Sequence, residues 1–275
     1  MAVRRRPKRA PGQHFLRSNR LSSDLVHQAG VERGDLVVEI GAGSGMLTRA
    51  LAETGADVLA LELDPDLASV LRRRFAARAN VTVVEADAFG WRWPSRPFAF
   101  VANLPFHRSG AILSHLLRDP RVGLRRADVI VQWELAVKHA AVWPATLRGT
   151  YWRAWYELST AGRLARTAFA PAPGVDAALL RIVRRAVPWV ADDDAERYWR
   201  FLSAAFGARR PVRRSLAPAL SALEVKRLAP ALGFAPDARP WDIDARQWAR
   251  LFRLAGSPGY SRGASSVRQK RKKPF

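Results

Sequence analysis

Two short stretches of this chain combine residue types that can do chemistry when a fold sets them at strand ends. The first is Val37-Val38-Glu39-Ile40-Gly41-Ala42-Gly43-Ser44-Gly45. An apolar run enters glycines that let the backbone turn sharply and approach a ligand where a Cβ would collide. A dinucleotide site wants G-x-G-x-x-G with its pyrophosphate on the helix N-terminus. Here the spacing is G-x-G-x-G, and Glu39 stands two positions before Gly41. A carboxylate there repels a pyrophosphate but can orient the amino group of a methionine moiety, so the loop leans to S-adenosylmethionine. Glu62 can accept from both ribose hydroxyls of either cofactor. Asp87, in Glu85-Ala86-Asp87-Ala88-Phe89, can accept from the exocyclic amine of an adenine, with Ala88 or Phe89 beside the ring.

The second stretch is Asn103-Leu104-Pro105-Phe106. The lone pair of an exocyclic amine is delocalised into its ring, so the nitrogen is barely basic. An Asn side-chain oxygen and the Leu104 carbonyl can both accept from that NH2 and turn the lone pair toward a methyl donor. Pro105 stiffens the turn, and Phe106 offers a stacking face for a flipped base. Such a site needs alignment of its reacting atoms and no strong general base.

Elements must bring these stretches together. Apolar runs at Leu36–Ile40, Asp57–Glu62, Val81–Glu85, Phe98–Asn103 and Asp128–Trp133 read as strands covered on both faces. Helical patterns lie between them, at Gly45–Glu53, Asp66–Phe75, Ser109–Arg118 and Glu134–Val142. This alternation predicts an α/β fold around a parallel sheet, with Tyr156–Ala161 and Ala178–Arg184 as an added antiparallel pair. Glu39, Glu62 and Asp87 then stand in order at strand ends, on the side where open α/β sheets bind ligands. The texture changes after Arg185. The stretch DDDAERYWRFLSAAFGARR places acid first and base last, as the helix macrodipole favours. Helical patterns around Leu223–Leu232 and Ala245–Ala255 follow. The expected organisation is a catalytic domain over 1–186 with a basic arm at 1–11, an all-helical domain over 187–255, and a disordered basic tail over 256–275.

Composition bounds the partners. The 275 residues are 48% hydrophobic and carry a formal net charge of +22, with no cysteine. A cysteine-free chain has no disulfides, thiol nucleophile or Cys-ligated zinc, which suits a cytoplasmic protein. No apolar run reaches membrane-spanning length, and the N-terminus lacks the apolar stretch of a signal peptide. A pI of about 11.6 asks for a polyanion. Arg4, Arg5, Arg6, Lys8, Arg9 and Arg17 load one end; Arg262, Arg268, Lys270, Arg271, Lys272 and Lys273 load the other. Arg209, Arg210, Arg213 and Arg214 add a basic cluster after the first C-terminal helix, to which phosphates can bind. Asp192, Asp193 and Asp194 read as a helix N-terminus and not as a metal cluster; no metal is expected. His107 reads as a solvent-exposed helix start.

Taken together, these residues resemble the adenine-N6 methyltransferases of ribosomal RNA, over nearly the whole chain. Gly12-Gln13-His14-Phe15-Leu16 is similar to that family's N-terminal cofactor motif, VVEIGAGSGMLT to its glycine loop and NLPF to its catalytic tetrapeptide. Phe169-Ala170-Pro171-Ala172-Pro173-Gly174-Val175-Asp176 resembles its F-x-P-x-P-x-V-D segment, and Phe206-Gly207-Ala208-Arg209-Arg210 its F-x-x-R-R segment. The resemblance implies a Rossmann-like S-adenosylmethionine-dependent domain with a small helical domain that binds RNA. It also implies cofactor contacts from His14 and Leu16 beside Gly41, Gly43, Glu62, Asp87, Ala88 and Asn103, and a clamp on the target base from Phe169. Many members carry Asn where this chain has His14, and some carry Tyr at Phe106.

Two branches of that family differ in substrate. One dimethylates small-subunit rRNA and usually continues NLPY-N-I-S-T; the other, the Erm methyltransferases, modifies one adenine of 23S rRNA and gives macrolide, lincosamide and streptogramin B resistance. NLPFHRSG, Gln132-Trp133-Glu134, Trp152-Arg153-Ala154-Trp155-Tyr156 and Ala245-Arg246-Gln247-Trp248-Ala249-Arg250-Leu251-Phe252-Arg253 resemble the Erm branch. The expectation is therefore a 23S rRNA partner and a monomer. The alternatives are a small-subunit enzyme and a catalytically silent rRNA-binding relative. A nicotinamide oxidoreductase would share Gly41 and Glu62 but has no use for NLPF or the charge.

Overall fold

Residues 14–143, 145–217 and 219–256 are described in a computed structural model of the chain. The first element is a two-residue strand, β1 (Phe15–Leu16), followed by helix α1 (Asn19–Gln28). Strand and helix then alternate through β2 (Leu36–Ile40), α2 (Met46–Glu53), β3 (Asp57–Glu62), α3 (Pro65–Arg74), β4 (Val81–Glu85), β5 (Phe98–Asn103), α4 (Ser109–Leu116), β6 (Leu124–Gln132) and α5 (Trp133–Ala140). After α6 (Leu147–Arg153) come β7 (Tyr156–Leu164), β8 (Phe169–Ala170) and β9 (Ala177–Arg184). Four helices complete the described chain: α7 (Ala195–Ala208), α8 (Val212–Ser215), α9 (Ala222–Leu232) and α10 (Ala245–Ala255).

Seven strands form one sheet in the order β4-β3-β2-β5-β6-β9-β7. β2 through β6 run parallel, and β9 is antiparallel to both β6 and β7. From β2 the chain winds outward through β3 to β4, then returns to lay β5 on the other side of β2. That reversal opens a crevice at the C-terminal ends of β2 and β5, where ligands bind in such sheets. The central strand β2 is buried at all five positions, which is why it reads as an unbroken apolar run apart from Glu39. Val37, Val58 and Val101 of the sheet pack with Leu47, Leu51, Leu71 and Phe75 of the helices over one face.

Local signals fix where the helices begin. Gly45, at φ +74°, starts α2, and a Cβ on it would meet Leu71 Cδ2 at 2.7 Å. Asp64 caps α3 by accepting from the N–H groups of Asp66 and Leu67, with Pro65 at the first helical position. Asp128, buried in β6, accepts from Arg126 and from Arg181 of β9, and both arginines also donate to the Gln28 carbonyl at the end of α1. Buried charge is tolerable when paired and hydrogen-bonded in this way, and the cluster locks the antiparallel strand onto the parallel sheet.

The chain divides into two compact units, one built from residues up to Ala141 together with Tyr156–Ala186, the other from Val142–Trp155 and the residues from Val187 onward. Sequence texture predicts a first domain over 1–186; residues 142–155 group instead with the helical unit. The reason lies in their aromatic rings: Tyr151 stacks on Tyr198 and meets Trp199 edge-on, and Trp155 packs on Tyr198. Phe201, Trp248 and Phe252 extend that core through α7 and α10. Capping boxes start α9 (Ser221, Glu224) and α10 (Asp244, Gln247). The basic arm at 1–11 and the tail beyond Gly256, including Arg268, Lys270, Arg271 and Lys272, lie outside the described residues.

Candidate active site

A single cavity in the first unit gathers the ends of β2, β3, β4 and β5. It is lined by His14, Phe15, Ile40, Gly41, Gly43, Leu61, Glu62, Leu63, Ala86, Asp87, Ala88, Asn103, Leu104, Pro105, His107, Arg108 and Ile112. The two stretches singled out in the sequence therefore face one another across the crevice. A Cβ on Gly41, at φ +71°, would stand in ordinary contact with Pro105 Cδ at 3.8 Å, so the loop and the tetrapeptide approach one another closely at this glycine. Gly43, at φ +54°, is closed in differently: a Cβ there would lie 2.5 Å from the ring of Phe15. Its N–H donates to Glu62 Oε2 at 2.8 Å, and Asp64 N–H donates to Glu62 Oε1 at 3.0 Å. The Glu62 carboxylate is thus held by two backbone donors and keeps lone pairs for donors in the cavity.

Asn103 carries the sharpest feature of the site. Its side-chain nitrogen donates to the His14 carbonyl at 2.7 Å. A carbonyl can only accept, so that contact fixes which end of the amide is nitrogen. The other end, Oδ1, is buried without a hydrogen-bond partner. Such an orphan is costly unless a ligand satisfies it, and the residue that carries it lines the cavity. Leu104 and Pro105 line the same wall.

The N-terminal motif reaches the site through a small ladder. β1 pairs with β8, setting Phe15 opposite Ala170 and Leu16 opposite Phe169. His14 Nδ1 lies 2.9 Å from the Pro171 carbonyl, and its ring packs 5.3 Å from that of Phe106. Asp176 anchors the far end of the same segment: its carbonyl accepts from Trp133 N–H, and its carboxylate pairs with Arg163 and Arg166.

Three expectations change. Glu39 is 2% exposed, stands outside the cavity lining and accepts from the Thr48 hydroxyl at 2.7 Å. Burial pushes its carboxyl up to about 8; the Thr48 hydrogen bond opposes this and the nearby Glu62 adds to it. An acid held neutral in the core and bonded to α2 through Thr48 is not placed to hold an amino group in the cavity. Leu16 also stands outside the lining; it packs with Leu25, Phe106 and Phe169 in an apolar cluster beneath the site. Phe106 and Phe169 meet edge-on at 6.2 Å and are 8% and 1% exposed, so neither offers an open stacking face. His107, expected at a solvent-exposed helix start, is exposed in the turn before α4, and it lines the cavity as well.

Arg108, Leu63 and Ile112 also line the cavity and were missed in the sequence. The available signals were an arginine two residues past the tetrapeptide and an apolar residue directly after Glu62, which the structure leaves 52% exposed. In the helical unit, Arg209 closes α7 at φ +47°, and its carbonyl accepts from Arg239 at 2.8 Å. Arg210 and Arg214 are exposed, and Arg213 pairs with Asp237. Among the described residues no cluster of His, Asp and Glu could hold a metal ion, and no helix is long and apolar enough to cross a membrane.

The chain is 38% identical over 263 residues to the ribosomal RNA small subunit methyltransferase A of Leifsonia xyli subsp. xyli, spanning 89% of this chain and 91% of that protein. It is 33% identical over 267 residues to the mycinamicin-resistance protein MyrB of Micromonospora griseorubida, spanning 96% of this chain and 83% of that one. Among solved structures, the 23S rRNA methyltransferase ErmE superposes with a TM-score of 0.76 at 28% identity, covering 88% of this chain and all of that one. A dimethyladenosine transferase from Plasmodium falciparum, at 19% identity and a TM-score of 0.71, shares the fold. The cavity suits S-adenosylmethionine: a held carboxylate for ribose, an acidic residue at the next strand end, a side-chain-free Gly41 in the lining and an orphaned acceptor on Asn103. The profile of ribosomal RNA adenine dimethylases matches residues 5–255, and this chain belongs to that family.

Proposed function

We propose that the protein methylates the N6 amine of one adenine in 23S rRNA and so protects ribosomes from macrolide, lincosamide and streptogramin B antibiotics. The observation that carries the chemistry is the buried, unpartnered Oδ1 of Asn103, a residue of the cavity lining. Bound S-adenosylmethionine supplies an electrophilic methyl group. Asn103 Oδ1 and the Leu104 carbonyl accept from the two N–H bonds of the incoming amine, which directs its lone pair along the line of transfer. Pro105 keeps that turn stiff. Glu62 would hold the ribose hydroxyls, and Asp87 would accept from the adenine amine of the cofactor with Ala88 beside the ring. After transfer the target nitrogen sheds its extra proton to solvent, so no residue need act as a base.

The target base enters over Phe106. The tilted His14 ring packs against that buried ring, so His14 would move aside for the base to stack, with Phe169 clamping from the edge. The short β1–β8 ladder is the element that would give. Arg209, Arg210, Arg213 and Arg214, with Arg268, Lys270, Arg271 and Lys272 of the tail, hold RNA phosphates, and the enzyme acts as a monomer in the cytoplasm.

The 23S branch is supported by the NLPFHRSG continuation, by the 96% of this chain that aligns with MyrB, and by the fit to ErmE. The 38% identity to a small-subunit enzyme favours a second reading, in which the target lies in small-subunit RNA. Protein-free 23S rRNA and small-subunit rRNA are incubated separately with the enzyme and methyl-labelled cofactor. Label in 23S rRNA alone is the expected result. Label confined to small-subunit rRNA overturns the branch, and label in neither marks a silent binder.

A further inference from the structure

Arg108 has no task in the chemistry above, yet it joins the two halves of the cavity. Its backbone is rigidly based: the N–H donates to the Pro105 carbonyl at 2.9 Å, and its own carbonyl accepts from Ala111 and Ile112 at 3.0 and 2.9 Å. From that base the side chain crosses to the loop after β4. Nη2 lies 3.4 Å from both carboxylate oxygens of Asp87, and the guanidinium carbon sits 4.8 Å from the centre of the Phe89 ring. Asp87 Oδ1 also accepts from Phe89 N–H at 3.1 Å. The carboxylate is therefore braced from two sides, and both Asp87 and Arg108 line the cavity.

Fold stability does not explain this arrangement. The Arg108 and Asp87 side chains are 33% and 45% exposed, and ion pairs so open to water contribute little to folding. Arg108 also occupies the N-cap of α4, where it makes no side-chain capping bond; Ser, Thr, Asn or Asp would serve the helix better. Without a brace, an Asp on a half-exposed loop samples several rotamers, and ordering it on binding costs affinity.

We propose that Arg108 is a positioning residue for the methyl donor: it fixes the Asp87 carboxylate so that an acceptor oxygen faces the 6-amino group of the cofactor's adenine. This rests on the reading of Asp87 as the acceptor for that amine. The same side chain ties the adenine end of the cavity to the Asn103–Phe106 turn, since its backbone is bonded to Pro105.

The test is calorimetric and needs no turnover. S-adenosylhomocysteine and its analogue lacking the purine 6-amino group are titrated into wild type, Arg108→Met and Arg108→Lys, with thermal unfolding as a check on the fold. Wild type should prefer the amine-bearing ligand by about tenfold or more, the worth of one hydrogen bond to a charged group. Arg108→Met should bring that preference to within about threefold while leaving the analogue's affinity nearly unchanged, and Arg108→Lys should restore part of it. A wild-type ratio in Arg108→Met, or an equal loss for both ligands, overturns the positioning role. No preference in wild type overturns the Asp87 reading itself, and the proposal with it.

Discussion

The amide of Asn103 is divided between two jobs, and the division makes its replacements informative. Nδ2 holds the His14 carbonyl, while Oδ1 is left for the amine. Asn103→Ala removes both, and methyl transfer should fall by about a hundredfold or more, with RNA affinity retained. Asn103→Asp should fare no better, because it sets a carboxylate oxygen against the His14 carbonyl with no proton between them. Single-turnover rates beside filter-binding affinities check both, and equal losses in rate and binding would remove Asn103 from the chemistry. Glu39 makes a prediction of another kind. Its folded-state value of about 8 lies above the ordinary 4.5, so the native state holds the proton longer than the unfolded chain does. Stability from this group is complete below about pH 4.5 and drains away as pH rises toward 8. Glu39→Gln keeps an acceptor for Thr48 and has no proton to lose. The variant should therefore gain on wild type through that window, by a few kcal/mol at most, and hold a constant lead above it. Denaturant melts at pH 5 and pH 8.5 measure the gap; a gap independent of pH would mean that Glu39 is ionised in the native protein.

At the scale of elements, the glycine loop and the β1 strand depend on one another. Gly43 has φ +54°, and its missing side chain is the space that the Phe15 ring fills. Gly43→Ala should displace Phe15, disturb the pairing with β8 and weaken S-adenosylhomocysteine binding by at least about tenfold, read by calorimetry. Wild-type affinity in that variant would show that the strand is not needed to close the site. This pairing also marks what the sequence could and could not show. The strands β2, β3, β4 and β5 were legible because each is an apolar run bounded by turn residues, and Glu62 and Asn103 were legible because they end such runs. β1 and β8 have two residues each and no periodicity, so their pairing could not be foreseen from pattern. α6 was missed for a related reason: seven residues beginning Leu-Arg-Gly give too little helical signal, and its rings declare their partner only once α7 is in place. Glu39 was misassigned because spacing places a residue on a strand without saying which way its side chain turns. It sits beside the cofactor loop in sequence, yet Thr48 of α2 receives it within the core.

At the scale of the molecule, the charge is divided among parts with different geometry. The cavity itself is not a cationic funnel: Glu62 and Asp87 face it, and Arg108 is already engaged by Asp87. Much of the described surface charge is likewise compensated, as in Arg72 with Glu85, Arg96 with Asp57, Arg163 and Arg166 with Asp176, and Arg213 with Asp237. The six basic residues from Arg262 to Lys273 have no acidic residue among them, so in sequence they are the densest reserve of uncompensated charge beside the basic arm. Neutralising a phosphate releases condensed counterions, and each such contact on a single-stranded or loop region adds roughly 0.7 to the slope of log affinity against log salt. If the tail makes three or more of these contacts, removing residues 259–275 should flatten that slope by about two units and weaken binding most at low salt. The first-order methylation rate at saturating RNA should hardly change, because no tail residue is assigned to the cavity. A slope equal to that of the intact chain would assign the phosphate contacts to the helical unit and its Arg209–Arg214 cluster. An unchanged slope with a lost methylation rate would instead place the tail in the chemistry and overturn the division of charge from catalysis.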